Sequence, residues 1–478
     1  MFNKKNTTFF VTALTLWRGY LCATMQLHHD ESYYWLWSKH LALSYFDHPP
    51  MVSYFVWLTT LFSNAELNVR LSGLVVSVLL SILVWKLAIK MFDSEEVASG
   101  SVVLLNIMPV TMTGGVLITP DTPAFLFWGL SLYLTWMAFE KQKPLFWYLT
   151  GVSFGLAMMS KYTTVLFGMC VLLYMIFTED RKWFKSISPY LASLIALAVF
   201  LPVVYWNYKN NWVSFKFQLN HGIGKKAYSL SYLGEYLGGQ LLVASPFVWL
   251  AGMWASVVFL FSKNRAKLFL VMTSLPILVF FCWASLKKPG EANWPALAYF
   301  SFVLITSAYF LDGSKLKRII FFGLILTSFS MSFLATLHAR FSVLPLAKWN
   351  KDWAEADATN FLYGWKELAA AIEKTPDVKF VITRSHQMSS EITYYTQGRV
   401  YAFVDPNHTR FSQYNLWKIP EDIYGTDGLY VFFEDLSMPE ITAEFESIDS
   451  IGHMKVFRKG FPIRNYRIIH GKSLKRFG

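Results

Sequence analysis

Cysteine is scarce in this 478-residue chain: Cys22, Cys170 and Cys282 are its only three, and all lie in or beside long apolar stretches. They read as small core residues, which excludes a disulfide framework or a cysteine metal cluster. Zinc-finger spacing is missing, and so is any long basic helix. The formal charge of +12 therefore does not point to nucleic acid. The first apolar run has no small-residue cleavage site before Gln26, and it reads as a retained helix that directs membrane insertion. The polar tail holds neither a Gly-rich phosphate loop nor a nucleophile elbow.

What is abundant is apolar surface: 54% of residues are hydrophobic, 18% are aromatic, and the mean hydropathy is +0.35. Eleven long apolar stretches fill residues 8–337, each near the roughly 20 residues a helix needs to cross about 30 Å of hydrocarbon. They are 8–27, 69–90, 97–117, 122–139, 144–160, 162–178, 187–206, 236–261, 267–285, 292–311 and 317–337. The pattern predicts a polytopic α-helical membrane domain over 1–340, with an external loop at 28–68, and a small soluble α/β domain over 341–478. In that tail, Gly364–Lys374 predicts a helix, with Leu368 and Ile372 four apart. The runs 379–383, 398–404 and 428–433 predict strands.

Lysines and arginines mark every second connection: Lys4 and Lys5, Lys86 and Lys90, Lys141 and Lys143, Arg181 to Lys185, Lys263 to Lys267, and Lys315 to Arg318. The positive-inside rule makes these loops and the N-terminus cytoplasmic. An odd number of crossings then sends the tail outside. The complementary connections, 28–68, 118–121, the turn at Lys161, 207–235, 286–291 and the tail, hold nearly all the unusual polar clusters.

In the first of these, His28-His29-Asp30-Glu31 opens a segment, Tyr33 to Leu41, with the aromatic loading of a helix lying in the membrane interface. Tyr45-Phe46-Asp47-His48-Pro49-Pro50 stops it, because two prolines fix the backbone and remove two donors. Two readings stand for the acids: Asp30 and Glu31 cap the helix, or Asp30 and Asp47 do chemistry from opposite ends of the loop. Histidines beside acids also permit a divalent cation (Mg, Mn or Zn), with Asp30, Asp47 and His29 as the candidate ligands.

Asp121, in Thr119-Pro120-Asp121-Thr122-Pro123, reads either as a helix N-cap or as a site acid. Lys161 reads either as a lysine snorkelling to headgroups or as the ligand of a lipid phosphate. Lys287 and Lys288 lie outside against the charge bias, and a lipid-linked phosphate is a natural partner for them. Tyr205, Trp206, Asn207, Trp212, Phe215, Phe217, His221 and Lys225 populate the fourth external connection, most of them as interfacial anchors.

In this order, Asp30-Glu31, Tyr45-Phe46-Asp47-His48-Pro49-Pro50, Arg70 in Asn68-Val69-Arg70-Leu71-Ser72, Thr119-Pro120-Asp121 and Gly155 to Lys161 resemble the motifs of a known group. They are the bacterial GT-C glycosyltransferases related to protein O-mannosyltransferases and to the lipid A aminoarabinose transferase. The resemblance implies a polyprenyl-phosphate-linked sugar as donor, used on the outer face of the bacterial inner membrane. It implies Asp30 as principal catalytic carboxylate, with Asp47 and Asp121. It implies Glu31, His48, Arg70, Lys161, Lys287 and Lys288 around the donor phosphate and substrate. Where the aminoarabinose enzyme has a Phe-Glu-Lys-Pro turn, this chain has Asp47 and His48, a form more like the hexose-transferring members. Lipid A, another envelope glycan or a protein hydroxyl are the acceptors this implies, the lipid being preferred. A transporter for a polyprenyl-linked substrate is the reading of a different class. It predicts a two-half repeat, which the sequence does not display.

Overall fold

The computed structural model describes residues 2–223, 228–376, 378–407, 410–434 and 444–477; Lys225 falls outside them. The chain divides into two compact units. The first comprises Met1–Cys22, Ala42–Phe55 and Arg70–Thr336, and the second Ala23–Leu41, Val56–Val69 and Leu337–Gly478. The first external loop therefore contributes its middle to one unit and its two ends to the other.

The first unit is helical, and each of the eleven apolar stretches contains a helix. Among the described residues, five helices are long and apolar enough to cross a membrane. They are Glu66–Phe92, Asp121–Lys141, Ser188–Lys209, the run Arg265–Ser285 and Lys315–Phe341. Counting each of two sharply bent pairs as one crossing brings the number to seven. The protein is thus a mostly helical polytopic membrane protein. The helices Pro144–Met158 and Ala298–Leu311 are apolar but shorter.

The stretches expected as single rods at 97–117 and 236–261 are broken. The first ends at Ile107 and resumes as Pro109–Gly114, because Met108 precedes a proline and takes extended geometry. The second turns by 102° between Leu230–Ala244 and Pro246–Leu260. There Ser245 adopts a φ of 70° ahead of Pro246. A break inside hydrocarbon leaves carbonyls that water does not reach, so other groups must satisfy them. At the first break the buried Arg18 does so, donating to Asn106 O at 3.0 Å and Thr111 O at 3.1 Å. Ser328 and Ser332 both donate to Ile107 O.

Small residues let helices touch backbone to backbone. A Cβ on Gly151 would lie 2.4 Å from Ala192 O, and one on Gly155 would lie 2.8 Å from Ala196 O. Pro144–Met158 therefore lies directly against Ser188–Lys209. Within the connection 207–235, Val213–Ile223 is a further helix.

The second unit is built on a five-stranded sheet of order β2-β1-β3-β5-β4. The strands are β1 (Phe380–Thr383), β2 (Tyr401–Val404), β3 (Gly428–Phe433), β4 (Phe445–Arg458) and β5 (Phe461–Leu474). β1 runs parallel to both β2 and β3, and β5 is antiparallel to β3 and β4. The inner strand β1, flanked by β2 and β3, is buried at all four positions, as parallel strands typically are. The expected helix appears as Trp365–Glu373, and Leu368 and Ile372 enter the core with Val381, Ile392 and Leu429.

The helix expected in the membrane interface is His29–Lys39, and its surroundings are protein. Tyr33, Tyr34, Trp35, Leu36 and Trp37 are all buried. The helix packs on His386–Tyr395. Trp35 meets Tyr394 edge-on at 5.0 Å, Tyr33 meets His386 at 4.7 Å, and the Tyr33 hydroxyl accepts from Gln413 N at 2.8 Å. Aromatic loading reports an apolar neighbour without saying whether it is lipid or protein, so the sequence pattern fits both.

Candidate active site

In the second unit, the chain enters His29–Lys39 through a reciprocal cap. His28 Nδ1 accepts from Asp30 N at 3.3 Å, and the Glu31 carboxylate accepts from His28 N at 2.8 Å. This separates the two neighbouring acids. Glu31 is fully buried and holds the helix start, while the Asp30 side chain is 39% exposed. His28 Nδ1 and His29 Nε2 stand 3.8 and 3.6 Å from the Asp30 carboxylate oxygens. Phe361 lies edge-on to both imidazoles.

Burial holds His29 far below the ordinary histidine range, and the charges of His28, Arg464 and His386 push the same way. Burial also lowers His386 to about 4, with Arg410 adding to the effect and Asp30 opposing it. Both rings are therefore neutral at physiological pH, the form in which imidazole binds metals and accepts protons. His28, His29 and Asp30 offer ligand atoms within 4.8 Å of one another, a group able to hold a metal ion. Two imidazoles and a carboxylate suit Zn or Mn better than Mg. Asp47, also weighed as a ligand, belongs to the other unit.

In the first unit, Asp121 is the opening residue of Asp121–Lys141, but its carboxylate does not cap that helix. One oxygen accepts from Lys161 Nζ at 2.6 Å, and the other from Asn293 Nδ2 at 2.8 Å. The pair is largely buried, with Lys161 8% and Asp121 15% exposed. Lys161 thus meets a carboxylate forty positions away rather than snorkelling alone. Asn293 is fixed in turn by its neighbour, since Ala292 O accepts from Gln240 Nε2 at 3.0 Å. The Gln240 carbonyl accepts from the Tyr299 hydroxyl at 2.6 Å.

The other expected residues of this unit have separate settings. Asp47 is buried, and its backbone carbonyl accepts from Gln218 Nε2. His48 is half-buried beside it. Arg70 is fully buried and donates to Cys22 O at 3.3 Å. Lys287 Nζ lies 3.8 Å from the centre of the Trp283 ring, and Lys288 donates to Asn220 O at 3.2 Å.

Sequence reasoning missed Asn293, although it lies in the same external stretch as Lys287. It also missed Phe361, His386, Arg410 and Arg464, whose place beside the His28–Asp30 turn depends on tail folding and leaves no local signal.

The buried histidines make stability pH-dependent. Unfolded, each ring binds a proton near its ordinary pKa of about 6.5; folded, it does not. Their contribution is complete above that value and is lost as pH falls toward the folded value of about 4 for His386. Thermal unfolding of the purified protein is expected to drop between pH 7 and pH 5. His386→Gln should flatten the slope by up to about 1.4 kcal/mol per pH unit. An unaltered slope would mean that this ring titrates freely in the folded protein.

Comparison with known proteins agrees with this architecture. The family model of dolichyl-phosphate-mannose-protein mannosyltransferases matches residues 47–206. The lipid A galacturonosyltransferase RgtD of Rhizobium johnstonii is 24% identical over 310 residues, which are 60% of this chain and 62% of that protein. The chain thus spans less than two thirds of that relative. ArnT from Cupriavidus metallidurans, solved bound to undecaprenyl phosphate, superposes with a TM-score of 0.65 over 98% of both chains at 14% identity. The oligosaccharyltransferase AglB from Archaeoglobus fulgidus gives 0.50 over 84% of this chain and 65% of that one, at 10% identity. By fold, this chain is similar to the membrane transferases ArnT and AglB. Part of its sequence is similar to RgtD.

Proposed function

We propose that this protein transfers a sugar from a polyprenyl-phosphate donor to an envelope acceptor, with inversion at the anomeric carbon. Lipid A or another glycolipid is the preferred acceptor, and a protein hydroxyl is the alternative. The reading includes the bacterial inner membrane, eleven crossings, a cytoplasmic N-terminus, and a tail domain over 341–478 outside. The observation that carries it is Asp30. On a fold shared along its whole length with an undecaprenyl-phosphate-bound enzyme, this carboxylate is solvent-reachable while its neighbour Glu31 is spent on the helix cap.

In this reaction the acceptor hydroxyl gives its proton to Asp30, and its oxygen attacks the anomeric carbon from the face opposite the phosphate. The new C–O bond forms as the bond to the phosphate oxygen breaks, and the electron pair leaves with the polyprenyl phosphate. Lys161 has three donors, of which Asp121 takes one, and the others are assigned to the departing phosphate. Arg70, Lys287 and Lys288 are further cations for the same role, and His48 completes the substrate-contacting set, with Glu31 supporting Asp30 from the helix cap. Asp47 and Asp121 orient sugar hydroxyls. A divalent cation at His28, His29 and Asp30, when bound, supplies positive charge beside the carboxylate and would compete with its role as base.

The test is reconstitution of the purified protein with a pool of polyprenyl-phosphate sugars and isolated envelope lipids, with and without chelator. Glycosylated lipid is the expected product. Activity that chelation leaves intact assigns Asp30 to proton transfer. Activity lost to chelator and restored by Zn or Mn assigns the turn to a metal. No transfer from any prenyl-linked donor would rule out the proposed function.

A further inference from the structure

Within the second unit, a cavity of about 360 Å³ lies where the chain leaves the long helix Lys315–Phe341. Arg458 and Asp357 form one wall, 2.8 Å apart. Arg458 also donates to Ser342 Oγ, Thr359 Oγ1, Asn360 Oδ1 and His338 O, so its role is to fix the wall. His338 Nδ1 accepts from Leu344 N at 3.0 Å, and its Nε2 donates to Asp357 at 2.9 Å. With the Asp357–Arg458 charges cancelling, Lys348 and Lys459 leave the lining positive. Much of the remaining lining is apolar, Leu344, Leu346, Phe461 and Ile463 among it.

Lys459 belongs to the two-residue turn joining β4 and β5. Lys459 and Gly460 both adopt positive φ, the geometry that matches the twist of a hairpin. The Lys459 ammonium donates to Ser342 O at 3.3 Å, tying the hairpin tip to the segment just past the helix. Next to the lining residues Lys348 and Ala354 stand Trp349 and Trp353, which are 58% and 60% exposed. Phe457, beside Arg458, is 58% exposed. Exposed tryptophans interleaved with lysines directly after a membrane-length helix have the composition of a membrane–water interface.

We propose that this cavity docks the headgroup of an anionic, phosphate-bearing membrane lipid, with Lys348 and Lys459 on the phosphate and Trp349, Trp353 and Phe457 against the acyl region. Two features select a lipid over a soluble anion. The cavity opens at the residues that follow a helix long and apolar enough to cross the bilayer. Half its lining is apolar, which suits glycerol and acyl carbons and adds nothing for inorganic phosphate. The site would tie the hairpin tip to the bilayer independently of any sugar transfer.

The test is native mass spectrometry of the full-length protein, delipidated in detergent and titrated with phosphatidylglycerol, phosphatidylcholine or inorganic phosphate. The wild type is expected to retain phosphatidylglycerol over phosphatidylcholine. Lys348→Glu combined with Lys459→Glu, both exposed and so compatible with folding, should weaken that retention on the order of tenfold or more. Lys182→Glu with Lys185→Glu, two exposed lysines elsewhere, should leave it unchanged. Equal retention of both lipids, equal loss in the two double variants, or no loss in either would overturn the proposal. So would tight binding of inorganic phosphate without lipid preference, which would make the cavity a small-anion pocket.

Discussion

Asp30→Asn is expected to lower sugar transfer about a thousandfold, since a positioned general base contributes roughly 10²–10⁴ in rate. The substitution keeps the side chain's size and one carbonyl oxygen, so the turn beside His28 and His29 should persist. Asparagine does not take up the acceptor's proton, and the loss should therefore fall on turnover while donor binding is retained. Glu31→Gln is the informative comparison. Glu31 accepts from the His28 backbone at the buried start of the helix, and a glutamine oxygen also accepts there. Its expected loss is mainly in stability, at about 1 kcal/mol, the scale of a helix cap. Rates measured on reconstituted protein, with melting temperatures alongside, separate the two acids. Comparable turnover in Asp30→Asn and wild type would remove Asp30 from the chemistry.

The second large effect is expected at Lys161. Its ammonium is 2.6 Å from Asp121 in a largely buried setting. Removing one member of such a pair leaves an uncompensated charge and typically costs about 3–5 kcal/mol. Lys161→Met should thus lower the melting temperature sharply as well as abolish transfer. Adding Asp121→Leu removes the stranded carboxylate, and most of the lost stability is expected to return. Asn293 then loses its acceptor, a smaller penalty. Because Asp121 is itself assigned to the sugar hydroxyls, the double variant reports on stability, and the chemistry of Lys161 is read by comparing it with Asp121→Leu alone. A further loss of turnover on removing Lys161 assigns it to the departing phosphate, whereas equal turnover leaves it a folding residue. Lys161→Arg keeps the charge and should fall between these limits.

Much of the fold was legible because it is carried by local patterns. Apolar length marked the helices, and Leu368 with Ile372 marked the tail helix Trp365–Glu373. The run 379–383 read as a buried strand, which the structure forms at Phe380–Thr383. The long hairpin β4–β5 escaped notice because most of β4 is exposed and its polar residues do not alternate cleanly with apolar ones. The breaks at Met108 and Ser245 also escaped, although a proline follows each. A proline permits a break, and whether one forms depends on groups such as Arg18, Ser328 and Ser332 being present to satisfy the exposed carbonyls. For the candidate site, Asp30, Asp121 and Lys161 stood out as charges beside apolar stretches. Their partners did not. Asn293 is a common polar residue in a loop, and His386 is one histidine in a tail of ordinary composition.

The sequence by itself determined that this chain lives in a membrane, where its long apolar stretches lie, and which charges are costly enough to need a purpose. Those properties follow from the transfer energy of side chains taken one stretch at a time. Tertiary structure alone decided that Asp121 pairs with Lys161, that Glu31 caps while Asp30 stays open, and that Tyr33 to Trp37 meet protein. Each of these is a contact between residues distant in the chain, or a choice between chemically equivalent neighbours, and only the closed packing of the backbone sets them.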